Sequence, residues 1–373
     1  MRIVRIEIYQ AELPVKGGVY RLSGGREYNS FDATFARVIC DNGIEGWGES
    51  TPFGASYIAS HSGSLRATLE LLSPSILGSD PRHHDRRWDR MEEAALGFRD
   101  ARAALDIACW DVSAKTAGMP LCDMVGGRVR GPVPVISSIG GGDPDEMRAK
   151  VEAHRKVGYL GHSVKVGASE AEGGPQLDAE RIKACLANRK PGEWFLVDAN
   201  NGLSPEHALR MLALLPDGLD FVLEAPCKSW RETLSLRARC NVPILLDELI
   251  QSEADLTLAI AQDACDGVGL KVTKQGGITP MIRQRTIASA AGMVMSIQDT
   301  TGSQISFAAA LHIAQSTSRR LLRCALDPRM MVEAEIAEFD APIRNGGAEA
   351  PNQPGLGVTP NLQTLGKPAQ VYE

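Results

Sequence analysis

Five charged residues stand out by where they fall. Lys165 closes the run HSVK, Asp198 closes WFLVD, Glu224 closes FVLE, Asp247 closes PILLD and Lys271 closes GVGLK. Each follows a short apolar stretch, and successive members lie 23 to 33 residues apart. Three acids in a row on neighbouring strand ends repel one another unless positive charge stands between them. An oxygen-only donor set with no His or Cys nearby suits a hard divalent cation, which favours Mg²⁺ over Zn²⁺. Lys165 and Lys271 flank the acids, and two amines facing each other across a bound substrate can act on both faces of one carbon. A lysine that is partly desolvated and close to other cations has a lowered pKa and serves as a base near neutral pH. Lys274, in KVTKQGG, competes for the role of Lys271, although it falls past the strand end. The bland alternatives are strand-terminal acids that cap loops and lysines that snorkel to solvent.

Elements that bring these residues together follow from the pattern of the chain. From about residue 133 come eight strand-like runs, PVISSI, HSVKVG, WFLVDAN, FVLEAP, PILLDEL, GVGLKV, MVMSIQD and RLLRCAL. Amphipathic segments such as DEMRAKVEAHRKVGY and SPEHALRMLALLP separate most of them, and several open on a capping residue, as at Ser204-Pro205. Eight strands with helical crossovers predict an α/β fold, a modified TIM (β/α)7β barrel whose strand ends carry the chemistry. An open doubly wound sheet is the alternative, but no strand is followed by GxGxxG or GxxxxGK[ST]. The first part of the chain differs. Alternating stretches near 2–13 and 32–41 flank GGVYRLSGG, DNGIEGWGES adds a third strand, and helical periods follow, one of them from Arg99 to Gly118. The expected division is an α+β capping domain over 1–130, the barrel over 131–328, and a Pro- and Gly-rich segment over 329–373 that returns to the cap.

Composition narrows the class of function. Forty Lys and Arg against 46 Asp and Glu give a net charge of −6. That argues against a general binder of nucleic acid or anionic membrane. No apolar run has the length of a membrane span, and MRIVRIEIYQ reads as a charged strand. Eight cysteines without a CxxC pair read as buried thiols of a cytoplasmic protein. None of the seven histidines has ligand spacing; His83 and His84 lie in an arginine-rich stretch read as surface, and His61 reads as a loop residue.

The order Lys, Asp, Glu, Asp-Glu, Lys resembles the enolase superfamily, in its mandelate racemase/muconate lactonizing enzyme family. ARAALDIACWDVSAKTAGMPLCDMVGG, at 101–127, is similar to that family's helix signature, with Ser113-Ala114 where a hydrophobic-Gly pair is more common. The resemblance implies one Mg²⁺ held by Asp198, Glu224 and Asp247, with Asn200 and Glu248 supporting these ligands. It implies removal by a lysine of the proton alpha to a substrate carboxylate, while the metal offsets the charge that develops.

Finer resemblance lies in GGVYRLSGGREY, STPFGASYIASH, ISSIG, LEAPC and SIQDTTGS, and points to enzymes of the family that act on proline derivatives. It implies an amino-acid substrate contacted by Tyr20, Phe53, Tyr57, Gln298, Asp299, Thr300 and Cys324, with a cap that closes and sets specificity. Relatives that bind a quaternary ammonium use an aromatic on the last barrel strand. This chain has RCALDP there, with Cys324 and Leu326, and an aromatic content of only 5%. A free secondary amine with Asp299 accepting its hydrogen bonds is therefore the expectation. The implied reaction is loss of water from cis-3-hydroxy-L-proline, the α-hydrogen and the hydroxyl leaving from opposite faces. Epimerisation at the alpha carbon of a proline betaine or a dipeptide is the competing reaction, and a non-catalytic metal-binding barrel is a third. Oligomers of identical subunits are common in this subgroup, which implies one here.

Overall fold

A computed structural model describes residues 1–373. The chain opens with β1 (Ile3–Pro14), a small hairpin of β2 (Tyr20–Leu22) and β3 (Arg26–Tyr28), then β4 (Ser30–Cys40) and β5 (Glu45–Ser50). Helices α1 (Ser62–Ile76), α2 (His84–Ala94), α3 (Arg99–Ala117) and the short α4 (Leu121–Met124) follow. β1 and β4 pair antiparallel from Ile3↔Cys40 to Pro14↔Ser30, because their alternating side chains put one face on α1 to α3. α3 lies so close to β5 that a Cβ on Gly48 would stand 2.1 Å from the Ala104 carbonyl oxygen. Only glycine on the strand, opposite alanines on the helix, permits that approach.

The barrel consists of β6 (Val133–Ile139), β7 (Gly161–Lys165), β8 (Trp194–Asp198), β9 (Val222–Glu224), β10 (Ile244–Leu246), β11 (Gly267–Lys271), β12 (Val294–Gln298) and β13 (Leu322–Leu326). All neighbours are parallel and β13 closes onto β6, so the ring has eight strands and no open edge. Crossovers are made by α5 (Pro144–Val157), α6 (Gly174–Leu186), α7 (Pro205–Ala213), α8 (Trp230–Arg237), α9 (Glu253–Ala261), α10 (Val272–Gln275) with α11 (Ile278–Ala290), and α12 (Gln304–Gln315). No α-helix of this ring follows β13, which makes the barrel (β/α)7β. Side chains of Asp143, Ser204, Ser229, Ser252 and Ser303 each accept a backbone N–H at a helix start. Each cap contributes about 1 kcal/mol.

Beyond the barrel, β14 (Ala337–Phe339) pairs with β16 (Val358–Pro360), and β15 (Gly347–Ala348) lies antiparallel on β6. The one-turn α13 (Leu362–Leu365) leads to β17 (Gln370–Tyr372), which pairs with β1 at the edge of the cap sheet. Cap and barrel are joined by buried carboxylates at barrel-helix starts. Asp106 of α3 accepts the N–H and hydroxyl of Thr279 in α11, at 2.8 and 2.7 Å. Glu49 of β5 accepts from the N–H of Ser303 and Ser306 at α12, at 2.9 and 3.0 Å. No helix is long and apolar enough to cross a membrane.

α2 was not foreseen, because its arginine-rich sequence hides the buried stripe of Arg87, Trp88 and Met91. The reading of His84 as surface is corrected with it. Its ring is half-buried and stacks on Trp110 at 3.4 Å, and burial and then Arg87 push its pKa down. His83 is exposed, and His61 is an exposed helix cap that accepts the N–H of Ser64 at 3.2 Å.

Candidate active site

Parallel register places the chemistry in one layer at the C-terminal mouth of the barrel. Lys165 is level with Asp198, Asp198 with Glu224, and Lys271 with Gln298. Asp247 lies just past β10. All of these side chains are buried, including Asp198 at 2%, Glu224 at 1% and Asp247 at 1% exposure. Lys165 forms an ion pair with Asp198. Lys271 and Lys274 grip opposite oxygens of Asp247, each at 2.7 Å. Lys274 occupies α10 and also donates to the Asp247 and Gly269 carbonyls. Gln298 donates its amide to Glu224 at 2.9 Å and to Ser296 at 2.7 Å.

Four carboxyl groups, those of Asp198, Glu224, Asp247 and the adjacent Glu248, thus share a buried site with three ammonium groups. Burial, followed by repulsion from Asp198 and Asp247, raises the Glu224 pKa well above the carboxylate range. Asp247 is held below that range, because Lys271 and Lys274 outweigh its burial. The lysines differ from expectation. Burial alone would lower Lys165 and Lys271, but Asp198 raises the first and Asp247 the second above the ordinary lysine value. Only Lys274 is lowered, by burial.

As oriented, no three His, Cys, Asp or Glu side chains converge on a common point, since the lysines and Gln298 take up the carboxylates. The donors nevertheless fit a hard cation. They are all oxygens, they are buried together, and one oxygen of the adjacent Glu248 has no partner. Gly269, level with Asp247 on β11, leaves space at that point: a Cβ there would lie 3.1 Å from Glu224 Oε1 and 3.3 Å from the Asp247 Cβ. Asn200 supports the group, donating to Asp198 Oδ2 at 3.0 Å and Glu248 Oε1 at 3.1 Å.

A cavity of about 20 Å³ faces these residues, bounded by Tyr20, Phe53 and Tyr57 of the cap and by Lys165, Lys271, Gln298 and Thr300 of the barrel. That is room for about one water molecule. In this arrangement the lining side chains leave no space for a larger molecule. Tyr57 reaches deepest, donating to Asp247 Oδ2 at 2.9 Å and accepting from Lys271. Phe53 packs between Tyr20 and Tyr57, with ring centroids at 5.6 and 5.3 Å, and Tyr28 and Phe31 back it at 4.9 and 4.7 Å. The low overall aromatic content was therefore misleading, because the cap concentrates its rings on this wall.

Two of the expected substrate contacts, Asp299 and Cys324, do not line this cavity. Asp299 follows the inward-facing Gln298, so strand alternation turns it away from the cavity. Its carboxylate accepts from the Thr273 N–H and hydroxyl, the Thr300 N–H and the Ser306 hydroxyl. Cys324 lies below Leu326 on the same face of β13, fully buried, 3.0 Å from the Ser296 hydroxyl. Leu326 lines the cavity instead. Ser138 and Ser163 also line it and were missed: Ser163 lies two residues before Lys165 on the same face, and Ser138 is level with Ser163 on β6. Ser138 meets the Tyr20 hydroxyl at 2.5 Å.

Residues 29–126 match the mandelate racemase/muconate lactonizing enzyme N-terminal domain, and 146–364 match the enolase C-terminal domain-like family. The chain is 35% identical to the cis-3-hydroxy-L-proline dehydratase of Roseibium aggregatum, covering 100% of both. It is 26% identical to the N-succinyl-L-Arg/Lys racemase of Bacillus cereus, covering 98% of this chain and 97% of the racemase. A Roseovarius nubinhibens protein assigned to the mandelate racemase/muconate lactonizing enzymes, solved in complex with magnesium, is 69% identical over 100% of both chains, with a TM-score of 0.99.

Proposed function

The chain belongs to the mandelate racemase/muconate lactonizing enzyme family of the enolase superfamily, and on that premise we propose that it dehydrates cis-3-hydroxy-L-proline to Δ1-pyrroline-2-carboxylate. The single observation that carries the chemistry is the pair Lys165 and Lys271 in one buried layer, on either side of the three carboxylates. Asp198, Glu224 and Asp247 would hold the metal, Mg²⁺ by their oxygen chemistry. When bound, the cation neutralises charge that develops on the substrate carboxylate as the α-proton leaves.

The remaining work falls to the chain's own residues. One lysine, freed from its carboxylate partner and deprotonated, takes the α-proton on its neutral Nζ. The C3–O bond breaks, and the ammonium of the other lysine gives a proton to the departing hydroxyl, so water leaves. The resulting enamine becomes the cyclic imine by moving a proton from nitrogen to carbon. Attack and departure on opposite faces of the ring suit the cis substrate, whose α-hydrogen lies opposite its hydroxyl. Phe53, Tyr57 and Leu326 pack the ring and exclude water. With Asp299 turned away, the amide oxygen of Gln298, which accepts no hydrogen bond from the protein, is the acceptor for the substrate ammonium.

The same two lysines support a second reading, epimerisation at the alpha carbon, in line with the similarity to a racemase. Incubation of cis-3-hydroxy-L-proline with enzyme and Mg²⁺ in D₂O separates the two by NMR. Loss of the 3-hydroxyl with imine formation supports dehydration. Deuterium at the alpha carbon with inverted configuration and an intact hydroxyl refutes it in favour of epimerisation.

A further inference from the structure

We infer that Ser23, on the cap loop between β2 and β3, is a positioning residue that ties closure of this loop to the metal-binding carboxylate of Asp198, acting through Asn200. The inference rests on the reading of Asp198 as a metal ligand. Ser23 is buried, and its hydroxyl is shared between the Asp198 carbonyl oxygen at 3.2 Å and Asn200 Oδ1 at 3.3 Å. Asn200 takes the left-handed backbone conformation, with φ 42°, which places its own N–H on Asp198 Oδ1 at 2.9 Å while its side-chain amide bonds Asp198 Oδ2. One asparagine therefore touches the cap hydroxyl with its oxygen and both oxygens of the carboxylate with its two nitrogens. The carboxylate cannot turn without disturbing Asn200, and Asn200 cannot move without disturbing Ser23.

The rest of the loop follows Ser23. Arg26 donates to the Ser23 carbonyl at 2.9 Å and to the Asn200 carbonyl at 3.0 Å, and the Gly24 N–H donates to the Gly167 carbonyl at 3.1 Å. Gly167 lies just beyond Lys165, so the loop docks on the segments that follow both Lys165 and Asp198. Tyr20 and Leu22, on the strand that leads into it, form part of the cavity wall. A cation that engages Asp198 acts on the same asparagine that holds the loop. Linkage then requires reciprocity: metal binding stabilises the docked loop by the factor by which docking tightens metal binding.

Mg²⁺ alone, as its chloride, is the probe, and trypsin reports on the loop because Arg21 and Arg26 flank it on β2 and β3. In the wild-type protein, calorimetry is expected to show Mg²⁺ binding, and saturating Mg²⁺ is expected to slow cleavage at both arginines. Ser23→Ala removes one hydroxyl from a loop and is expected to keep the wild-type melting temperature. It is expected to weaken Mg²⁺ binding about 3- to 10-fold, the loss of one hydrogen bond, and to erase the protection by Mg²⁺. Wild-type protein that binds Mg²⁺ without gaining protection overturns the inference. So does Ser23→Ala that binds Mg²⁺ and is protected like the wild type. Absence of Mg²⁺ binding to the wild-type protein removes the metal reading and the inference together.

Discussion

Gly269→Ala probes the site with a single methyl group. The added Cβ would lie 3.1 Å from Glu224 Oε1, 3.3 Å from the Asp247 Cβ and 3.4 Å from its Cγ. These separations are tight, so the two carboxylates must shift by a few tenths of an ångström. The backbone itself tolerates alanine, since Gly269 is an ordinary strand residue opposite Ser296. Relief of glycine's extra chain entropy stabilises by about 0.5–1 kcal/mol, and overpacking costs about 1–3 kcal/mol, so net stability falls by at most about 2.5 kcal/mol. Displaced supports of metal ligands weaken metal binding about 10- to 100-fold, equivalent to about 1.4–2.8 kcal/mol. Mg²⁺ calorimetry reads the second effect, and urea unfolding in EDTA reads the first. Gly267→Ala, two residues earlier, serves as contrast: its Cβ would lie 2.6 Å from the Val294 carbonyl oxygen, so it strains the barrel wall, not the carboxylates. It is expected to lower stability and leave Mg²⁺ affinity unchanged. If Gly269→Ala binds Mg²⁺ within two-fold of wild type while folding normally, the carboxylates are not the metal site and the reasoning fails.

Lys165→Ala and Lys271→Ala are each expected to lower turnover of cis-3-hydroxy-L-proline by about 10²- to 10⁴-fold in a coupled or NMR assay; substantial activity in either variant refutes the two-lysine scheme. Tyr57→Phe keeps the ring and removes the bond to Asp247 and Lys271, so kcat/KM is expected to fall about 10-fold or more, and an unchanged value would show the hydroxyl idle. Burial pushes the Glu49 carboxyl up to about 7 from its ordinary 4.5, against the pull of its Ser303 and Thr51 hydrogen bonds. Its protonated form therefore contributes stability that is full below pH 4.5 and is lost as pH rises through about 7, up to about 3 kcal/mol. From pH 4.5 to 8 the unfolding free energy of the wild type is expected to fall relative to that of Glu49→Gln by up to that amount, and parallel profiles would refute it. Asp106→Ala leaves Arg87 buried without its partner and is expected to cost about 3–5 kcal/mol in denaturant unfolding, whereas a loss under 1 kcal/mol would show the pair idle.

The barrel was legible because its strands are short and each ends on the residue that matters. Lys165, Asp198, Glu224 and Lys271 each close an apolar run, and parallel register then sets them side by side. Alternation also separates neighbouring positions. Gln298 and Asp299 look equivalent in a sequence, yet successive strand residues face opposite ways, and only Gln298 reaches the cavity. Cys324 has the correct parity but lies one layer too deep, and depth along a barrel axis leaves no mark in the local pattern. Of the aromatic wall, Tyr20, Phe53 and Tyr57 were expected at the mouth, whereas Tyr28 and Phe31, which back Phe53, were not, because only the folded cap brings these dispersed positions together. The raised lysine pKa values follow from which charge stands nearest, a matter of side-chain rotamers that residue spacing does not encode.

β17 has a bearing on the order in which the molecule can be made. Ile6, Glu7 and Ile8 pair with Tyr372, Val371 and Gln370, the strand pairing with the largest sequence separation in the chain. On a ribosome adding about 5–20 residues per second, β1 waits about 20 to 70 seconds for that partner while the entire barrel emerges. During that interval one edge of the cap sheet is bare, open to pairing with another nascent chain. The barrel can close on itself in the meantime, but the cap sheet is complete only once β17 has emerged behind it. A chaperone that shields strand edges would therefore find its target on β1 even after the barrel strands have paired.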